Sequence, residues 1–557
     1  MEFSSVYLFT SWEFLAFFIL ALTGYFLVPK AVACIGKAGA LKKFEWLQNT
    51  QWIWLLLSGS VFYVSYYVFL SDKYKYGTSA YLFICCLLVS IISIYVLARF
   101  IAGRNEYQKA HLKEHKADYT KEDKKKFKDK VKRQKQFLVA ICCLINVGIL
   151  CVLKYTGFFV DIANSAGASL TTPDWIVLPL GISFYTFQAI GYVVDVNRGV
   201  CDAQKNPFKL ALFVSYFPQM FQGPIGRYDK LAPQLYSAHK FDYDAFRNGA
   251  VRMMWGFFKK LVIADRITKF IDPVFADYNA YSGGVIAVAV ILYAVQLYAD
   301  FSGYMDIALG ASQCMGISLT ENFERPFFSK SVAEFWRRWH ISLGDWFRDY
   351  VFYSILRSKW CSNLVKKVGN KNGFAKYVSK NIGTIIGLSV VWLIMGFWHG
   401  DAWHYVFMGV FFGAVIILST LLSKPFKWTS EKFRGAFFDV LRIVRTGLII
   451  AFGFIFFRAD SLSTAFGMIG KMFTFANGEF ASVLTPGFNT FQWGISVVSI
   501  LALFGVSLYQ ENKGPVRQKL FGSNIVLRYA AVLLLLLVVF MLGIYGGAGG
   551  SFAYFDF

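Results

Sequence analysis

The sequence predicts an all-α polytopic integral membrane protein of about ten to twelve transmembrane helices, with broken or re-entrant and interfacial helices around a central tunnel. Two observations predict this class. Of the 557 residues, 56% are hydrophobic and only 16% are charged, whereas a soluble chain of this length would divide into several domains with charged surfaces. Apolar runs of the roughly 20 residues that a helix needs to cross a hydrocarbon core also recur along the whole chain.

The N-terminal third, residues 1–160, is predicted to form spanning hairpins. Its clear apolar runs are Val6 to Val28, Trp52 to Leu70, Ser79 to Ala98 and Phe137 to Val160. The hydrophilic segment at residues 99–135 carries fourteen Lys or Arg against six Asp or Glu, which places it in the cytoplasm, and its length favours a helical structure. The net charge is +23, and we interpret the excess of basic residues as interacting with anionic lipid headgroups. We predict no nucleic-acid partner.

The middle region, residues 173–420, is predicted to be the catalytic core of one membrane domain that spans residues 1–557. Gly, Pro and polar residues interrupt its apolar runs, as in FVSYFPQMFQGPIGR and VQLYADFSGYMDIALG. Broken helices at membrane depth are tolerated where protein or a water-filled cavity covers their backbone. This region is therefore expected to line a cavity, whereas residues 421–557 return to ordinary spans.

Residues 331–357 are predicted to form an amphipathic interfacial helix, because charged residues alternate there with Phe, Trp and Tyr. On helical spacing, Arg337, His340, Gly344 and Phe347 share one face. The run that precedes His399 is instead almost wholly apolar, which predicts that His399 lies near one end of a buried helix.

Two Trp–His pairs, Trp339-His340 and Trp398-His399, are the leading functional candidates among only six histidines. Ionisable groups at membrane depth are costly and mark functional sites by default, and histidine can act as a base and then as an acid near neutral pH. Either histidine alone fits a structural role at a helix end. The two pairs together favour function, and Gly396 and Gly400 beside His399 permit the close approach of another chain or of a ligand.

Other chemistries have less support. His399 and His404 are five residues apart rather than four, and the nine cysteines show no ligand spacing, so no metal site and no disulfide framework is predicted. We interpret the remaining histidines, in hydrophilic segments, as solvated: His111, His115 and His239. No serine-hydrolase elbow or nucleotide-binding glycine loop is present.

Asp300 and Asp306 leave a transporter open as an alternative class. Both lie in an apolar run, where they fit an ion path or, in the interpretation we favour, structural pairs with Lys or Arg. A polysaccharide or ion transporter would also be expected to show repeated halves, which the sequence lacks. A third alternative is an assembly subunit that anchors a partner enzyme.

Two histidines without a metal suit proton transfer. One could deprotonate a hydroxyl that attacks an activated acyl group, while His340, Trp or Arg N–H groups stabilise the anionic intermediate. At these residues the sequence resembles the membrane-bound O-acyltransferase superfamily, and within it the bacterial branch of the alginate O-acetyltransferase membrane subunit and the teichoic acid D-alanyl transfer protein. The matching blocks run from Pro179 to the C-terminus and include SYFPQMFQGPIGRY, GFFKKLVIADRI, QLYADFSGYMDIALG, FWRRWHISLGDWFRDYVF, MGFWHG and FAYFDF.

The resemblance implies that His399 is the catalytic histidine and that His340 is its helper. It implies a multi-pass protein of the cytoplasmic membrane that takes an acyl group from a cytoplasmic thioester, acetyl-coenzyme A or a carrier-protein thioester, with no permanently bound cofactor. The acceptor would be a cell-envelope or exported polysaccharide, reached through an SGNH-type or small membrane partner, or else teichoic acid. Segment 99–135 departs from the shorter relatives and leaves the donor open. The candidate substrate-binding residues are Trp398, Trp339, Arg337, Gln219 and Asp300.

Overall fold

A computed structural model describes residues 9–37, 50–74, 79–173, 175–176, 178–179, 181–220, 222–368, 373–474 and 488–545. Within these ranges the regular secondary structure is helical, apart from an isolated antiparallel bridge between Phe323 and Trp339, and turns and loops join the helices. The predicted all-α class is therefore confirmed. The C-terminal block FAYFDF lies outside the described residues.

The helices are numbered in chain order. Those of the first half are α1 (Trp12–Lys37), α2 (Gln51–Tyr74), α3 (Ser79–Glu114), α4 (Lys121–Ser165), α5 (Ile182–Arg198), α6 (Pro207–Ser215), α7 (Phe217–Met220), α8 (Tyr228–Tyr236), α9 (Tyr243–Phe257), α10 (Asp265–Ala276) and α11 (Gly283–Cys314). Those of the second half are α12 (Val332–Arg338), α13 (Ile341–Trp346), α14 (Tyr353–Leu356), α15 (Lys359–Val368), α16 (Gly373–His399), α17 (Trp403–Leu421), α18 (Ser423–Lys432), α19 (Ala436–Arg458), α20 (Leu462–Met472), α21 (Thr490–Lys513), α22 (Val516–Gly522) and α23 (Ile525–Leu542). Two π-helical segments, Phe258–Ala264 and Phe347–Phe352, follow α9 and α13.

Nine helices within the described ranges are long and apolar enough to cross a membrane. They are α1, α3, α4, α11, α16, α17, α19, α21 and α23. This number is below the predicted ten to twelve spans. The predicted span from Trp52 to Leu70 corresponds to α2, which is not among the nine; the side chains of α2 from residue 66 onward are not described. The structure thus supports a multi-pass membrane protein.

Contacts divide the chain into two compact units. One comprises Trp12–Gly249 and Ala311–Thr320, and in it α1 packs on α2 while α3, α4 and α5 pack on one another. The other comprises Met1–Ser11, Ala250–Gly310 and Glu321–Phe557, and in it α16 packs on α17 and α17 on α19. Both candidate histidines belong to this second unit. The boundaries predicted from sequence at 160, 173 and 420 stay a prediction.

The basic segment 99–135 is helical, as its length predicted. It forms the end of α3, a short turn and the start of α4, whose 45 residues extend about 68 Å, far beyond a hydrocarbon core of about 30 Å. A capping box starts α4: the Thr120 hydroxyl accepts a hydrogen bond from the Asp123 N–H, and the Asp123 carboxylate accepts one from the Thr120 N–H. This hairpin of α3 and α4 therefore continues past the apolar part of both helices.

One prediction for the middle region is wrong, because α11 is not interrupted. It runs unbroken for 32 residues through the sequence VQLYADFSGYMDIALG. Its acidic side chains have cationic partners: the Asp306 carboxylate pairs with Arg252 at 2.8 Å and with the buried Lys259 at 2.7 Å, and Asp300 pairs with the buried Lys260 at 2.7 Å. Compensated charges do not require the helix to open, and these pairs agree with the structural interpretation of both aspartates.

The π-helical segment Phe258–Ala264 accounts for the two adjacent lysines of that cluster. Lys259 Nζ also donates to Ser302 Oγ at 2.9 Å, and Lys260 Nζ also pairs with Asp265 at 2.8 Å. Consecutive residues on a regular helix point about 100° apart, so local rewinding helps both ammonium groups to reach α11. The result is a buried ionic cluster that ties the segment after α9 to α11.

Candidate active site

The segment around His340 is not the single amphipathic helix that the sequence predicted. α12 ends at Arg338 and α13 begins at Ile341, because the intervening backbone pairs with residues 322–324. Glu324 N donates to Arg338 O at 2.9 Å, and Ile341 N donates to Asn322 O at 3.0 Å. His340 itself has a left-handed backbone, with φ at 46°. The prediction that Arg337 and His340 share one face of a continuous helix is therefore wrong. The imidazole of His340 is buried at the break between α12 and α13.

Asn322 holds the His340 ring and defines its tautomer. Asn322 Oδ1 accepts the backbone N–H of Ser342 at 2.9 Å and lies 3.3 Å from His340 Nδ1. Since that oxygen only accepts, Nδ1 carries the proton and the lone pair is on Nε2. His340 lies outside the nine candidate spans, and its side chain is only 3% exposed. This burial lowers the pKa of its imidazole well below the usual range. His340 is therefore neutral and offers an acceptor.

We expect Asn322→Ala to disturb the reaction through His340. Loss of the amide removes the bond to Nδ1 and leaves the ring free to adopt the other tautomer or another rotamer, so kcat should fall about tenfold with little change in KM. Steady-state kinetics on purified protein checks this expectation. Asn322→Asp keeps an acceptor at the same position and should retain more activity than Asn322→Ala; equal kcat in Asn322→Ala and the unmodified chain would contradict the positioning role.

His399 is the last residue of α16, as the sequence predicted, and it is 5% exposed. α17 comes very close to this end of α16. A Cβ atom on Gly396 would lie 2.7 Å from the Tyr405 carbonyl oxygen, and a Cβ on Gly400 would lie 2.1 Å from the Tyr405 ring. The two glycines thus permit a close approach, here by α17 of the same chain. Phe457 of α19 meets the His399 ring edge to face, with the centroids 5.0 Å apart.

A cavity of about 500 Å³ contains both histidines in its lining. Its walls are aromatic and apolar near Trp336, Trp392 and Met395, and charged near Arg337 and Arg348. Arg337 is exposed, whereas His340 and His399 are buried, so the cavity leads from a charged, accessible end to the imidazoles. This volume lies within the range of small-molecule sites, which are mostly apolar with a few placed polar groups.

The other predicted substrate-binding residues differ in position. Trp339 and Arg337 line the cavity. Trp398 contacts both imidazoles, with centroids 6.1 Å from His340 and 4.7 Å from His399, but it is not among the described lining residues. Asp300 lies in the buried ionic cluster. Gln219 belongs to the other compact unit, where its Nε2 donates to the Phe213 carbonyl at 3.0 Å.

Three residues near the histidines were not anticipated from sequence: Asn322, Phe457 and Trp336. The Trp336 indole packs against Trp392 and Phe412, with centroids 5.0 Å and 4.9 Å away. Its buried N–H has no hydrogen-bond partner in the part of the chain that the structure describes. Helical spacing places Trp336 on one face with His340 but gives it no role. Its unpartnered N–H could not be recognised from residue spacing.

The fold and this cavity together define a polytopic membrane enzyme with two buried histidines. The sequence model of the membrane-bound O-acyltransferase family matches residues 201–366. The chain is 34% identical over 379 residues to the probable alginate O-acetylase AlgI of Pseudomonas syringae pv. tomato, with 66% of this chain and 67% of that protein covered. It is 32% identical over 367 residues to the peptidoglycan O-acetyltransferase of Helicobacter pylori, with 60% and 65% covered. It is 31% identical over 296 residues to the teichoic acid D-alanyltransferase of Bacillus subtilis, with 51% and 70% covered.

The chain belongs to the membrane-bound O-acyltransferase family, and it is an acyltransferase. This membership confirms the resemblance of the sequence blocks. It also decides between the enzyme and the two alternatives, a transporter and an anchoring subunit, in favour of the enzyme.

Proposed function

We propose that this protein is an O-acetyltransferase of the cytoplasmic membrane. It passes an acetyl group from a cytoplasmic thioester across the membrane for O-acetylation of a cell-envelope or exported polysaccharide. The observation that carries the proposal is the single cavity that joins two buried histidines to a charged, accessible end. The relatives named as O-acetylases of alginate and peptidoglycan support acetyl as the transferred group.

The cavity suits acetyl-coenzyme A as the donor. Arg337 and Arg348 lie at its charged end, and guanidinium groups bind phosphate through paired N–H donors. Val391, Trp392 and Met395 form an apolar wall along which an extended pantetheine arm can lie. In this proposal the donor is a substrate, and the protein needs no permanently bound cofactor.

The reaction is a proton-coupled acyl transfer. His399 removes the proton of an acceptor hydroxyl as the hydroxyl oxygen attacks the thioester carbonyl carbon, which gives a tetrahedral oxyanion. Collapse of this intermediate breaks the C–S bond, and the thiolate takes the proton back from His399. The products are an acetyl ester and a free thiol, so protons and electrons balance. A thiolate leaves readily, and no separate acid is required.

His340 and Trp336 supply the two other hydrogen-bonding functions, orientation of the acceptor hydroxyl and stabilisation of the oxyanion. Since the lone pair of neutral His340 is on Nε2, this side chain orients the acceptor hydroxyl by accepting a hydrogen bond. The oxyanion donor anticipated at His340 is better supplied by the buried indole N–H of Trp336.

Trp336→Phe tests that donor. The substitution keeps an aromatic ring against Trp392 but removes the N–H, so we expect kcat to fall by about 10²-fold with protein abundance unchanged. Trp392→Phe is the matched control, since it alters an aromatic residue of the same wall and should have the smaller effect on kcat. Equal losses in the two variants would assign Trp336 a packing role.

A D-alanyl transferase acting on teichoic acid is the second candidate, favoured by the 31% identity to the Bacillus subtilis enzyme. Its donor would be a carrier-protein thioester. Mass spectrometry of each envelope polymer from a deletion strain separates the two: loss of acetyl esters supports the proposal, and loss of D-alanyl esters with acetyl esters intact contradicts it.

Delivery to the polymer is expected to require a partner. We propose an SGNH-type or small membrane protein at the extracytoplasmic side, which takes the acetyl group from the membrane enzyme. Co-purification of such a protein with the full chain from its own host, together with loss of polymer acetylation when its gene is removed, tests this part separately from the chemistry at His399.

A further inference from the structure

We propose that the hairpin of α3 and α4 holds a divalent transition-metal ion of the zinc class between His111, Glu114 and His115. The three residues form the pattern His-x-x-Glu-His at the end of α3, and one ligand atom from each lies within 4.8 Å of the others. His111 and His115 are four residues apart and so share one face, with their ring centroids 4.2 Å apart.

Hydrogen bonds already orient the two imidazoles for this role. His115 Nδ1 lies 3.1 Å from the His111 carbonyl oxygen, which can only accept, so Nδ1 is protonated and Nε2 carries the lone pair. His111 Nε2 bonds to the Tyr119 hydroxyl at 2.9 Å, and in the tautomer in which Nε2 donates this bond Nδ1 carries the lone pair for the metal. A metal-binding histidine usually engages its second nitrogen in such a contact, which fixes its tautomer and direction.

The sequence interpreted these histidines as solvated, but both are half-buried in an aromatic cluster. Phe127 of α4 stacks on the His111 ring with the centroids 4.3 Å apart, and Tyr107 of α3 stacks on the same ring with the centroids 5.6 Å apart. Tyr119 also contacts His115, with centroids 5.2 Å apart. The two imidazoles are therefore held by residues from α3, the turn and α4, while the Glu114 carboxylate is exposed and would turn toward the ion on binding. Bound metal would fasten the turn to the end of α3.

The donor set selects the class of ion. Two imidazoles and one carboxylate suit Zn²⁺, Co²⁺ or Ni²⁺, whereas Ca²⁺ and Mg²⁺ prefer oxygen ligands alone. A water molecule would complete a tetrahedral arrangement. The fourteen basic residues of segment 99–135 oppose a cation, so binding depends on direct coordination by the neutral imidazoles.

Metal titration of the purified full chain, without a polyhistidine tag, tests the site. Competition with a chromophoric zinc indicator should give one zinc ion per chain that is lost in His111→Ala and in His115→Ala. Tyr119→Phe, which removes the contact to His111 Nε2, should weaken binding about tenfold. His239→Ala is the matched control and should bind as the unmodified chain does, because His239 Nε2 bonds elsewhere, to the Gln234 carbonyl.

A second measurement keeps the test independent of any folding defect. Zinc should slow hydrogen exchange at residues 107–119 in the unmodified chain and leave it unchanged in His115→Gln, while the exchange of α16 stays the same in both. The proposal is overturned if the unmodified chain binds no zinc, if His111→Ala and His115→Ala bind as much zinc as it does, or if zinc leaves hydrogen exchange at residues 107–119 unaltered.

Discussion

Replacing His399 with alanine is expected to abolish acyl transfer while the amount of protein in the membrane stays unchanged. A positioned general base contributes about 10²- to 10⁴-fold to the rate, and His399 is a buried residue of the cavity in which we propose that the hydroxyl and the thioester meet. The acetyl content of the envelope fraction in a strain that carries only the variant measures this loss directly.

Two further variants separate chemistry from packing. His399→Gln fills most of the space beside Phe457 but lacks a group that can titrate near neutral pH, so it should be as inactive as His399→Ala. His239→Ala removes a histidine of the other compact unit and should retain activity. Substantial transfer by His399→Gln would show that His399 acts through its shape and not as a base.

Replacing Lys260 with methionine is expected to cause the largest loss of stability. Lys260 is 2% exposed and pairs with Asp265 at 2.8 Å and Asp300 at 2.7 Å. Removal of the ammonium group leaves the buried carboxylates of Asp265 and Asp300 without this cationic partner. Breaking a buried ion pair in this way lowers the free energy of unfolding by about 3–5 kcal/mol. Thermal unfolding of the detergent-solubilised protein, followed by size-exclusion chromatography, gives the comparison.

The same cluster provides its own controls. Asp300→Asn leaves the pair of Lys260 and Asp265 intact and should cost less than Lys260→Met. The triple variant Lys260→Met, Asp265→Asn, Asp300→Asn contains no uncompensated charge and should recover much of the lost stability. An unfolding midpoint for Lys260→Met equal to that of the unmodified chain would contradict the structural role of the cluster.

Sequence patterns predicted the features that follow from local composition. The all-α membrane class, the helical character of segment 99–135 and the place of His399 at the end of α16 all follow from runs of apolar or charged residues. The sequence also predicted that Asp300 and Asp306 pair with Lys or Arg, because isolated charges are too costly in an apolar helix, although it did not identify which Lys or Arg.

Patterns failed where distant backbone contacts decide the conformation. The break at His340 depends on pairing of its neighbours with residues 322–324, and the continuity of α11 depends on lysines that a π-helical turn presents. Residue spacing predicts neither the backbone pairing near His340 nor the lysine contacts of α11. For the same reason the contact of Asn322 with His340 and the place of Trp336 in the cavity lining emerged only from the structure.

We propose that acetyl transfer from a thioester to a hydroxyl takes place in the cavity lined by His340 and His399. The most direct measurement uses purified protein in lipid vesicles with acetyl-coenzyme A labelled in the acetyl group and a polysaccharide acceptor. We expect alkali-labile label on the acceptor and an equal amount of free thiol, both lost in His399→Ala. Equal labelling by His399→Ala, or thiol release with the acceptor unlabelled in the presence of the native partner, would contradict it.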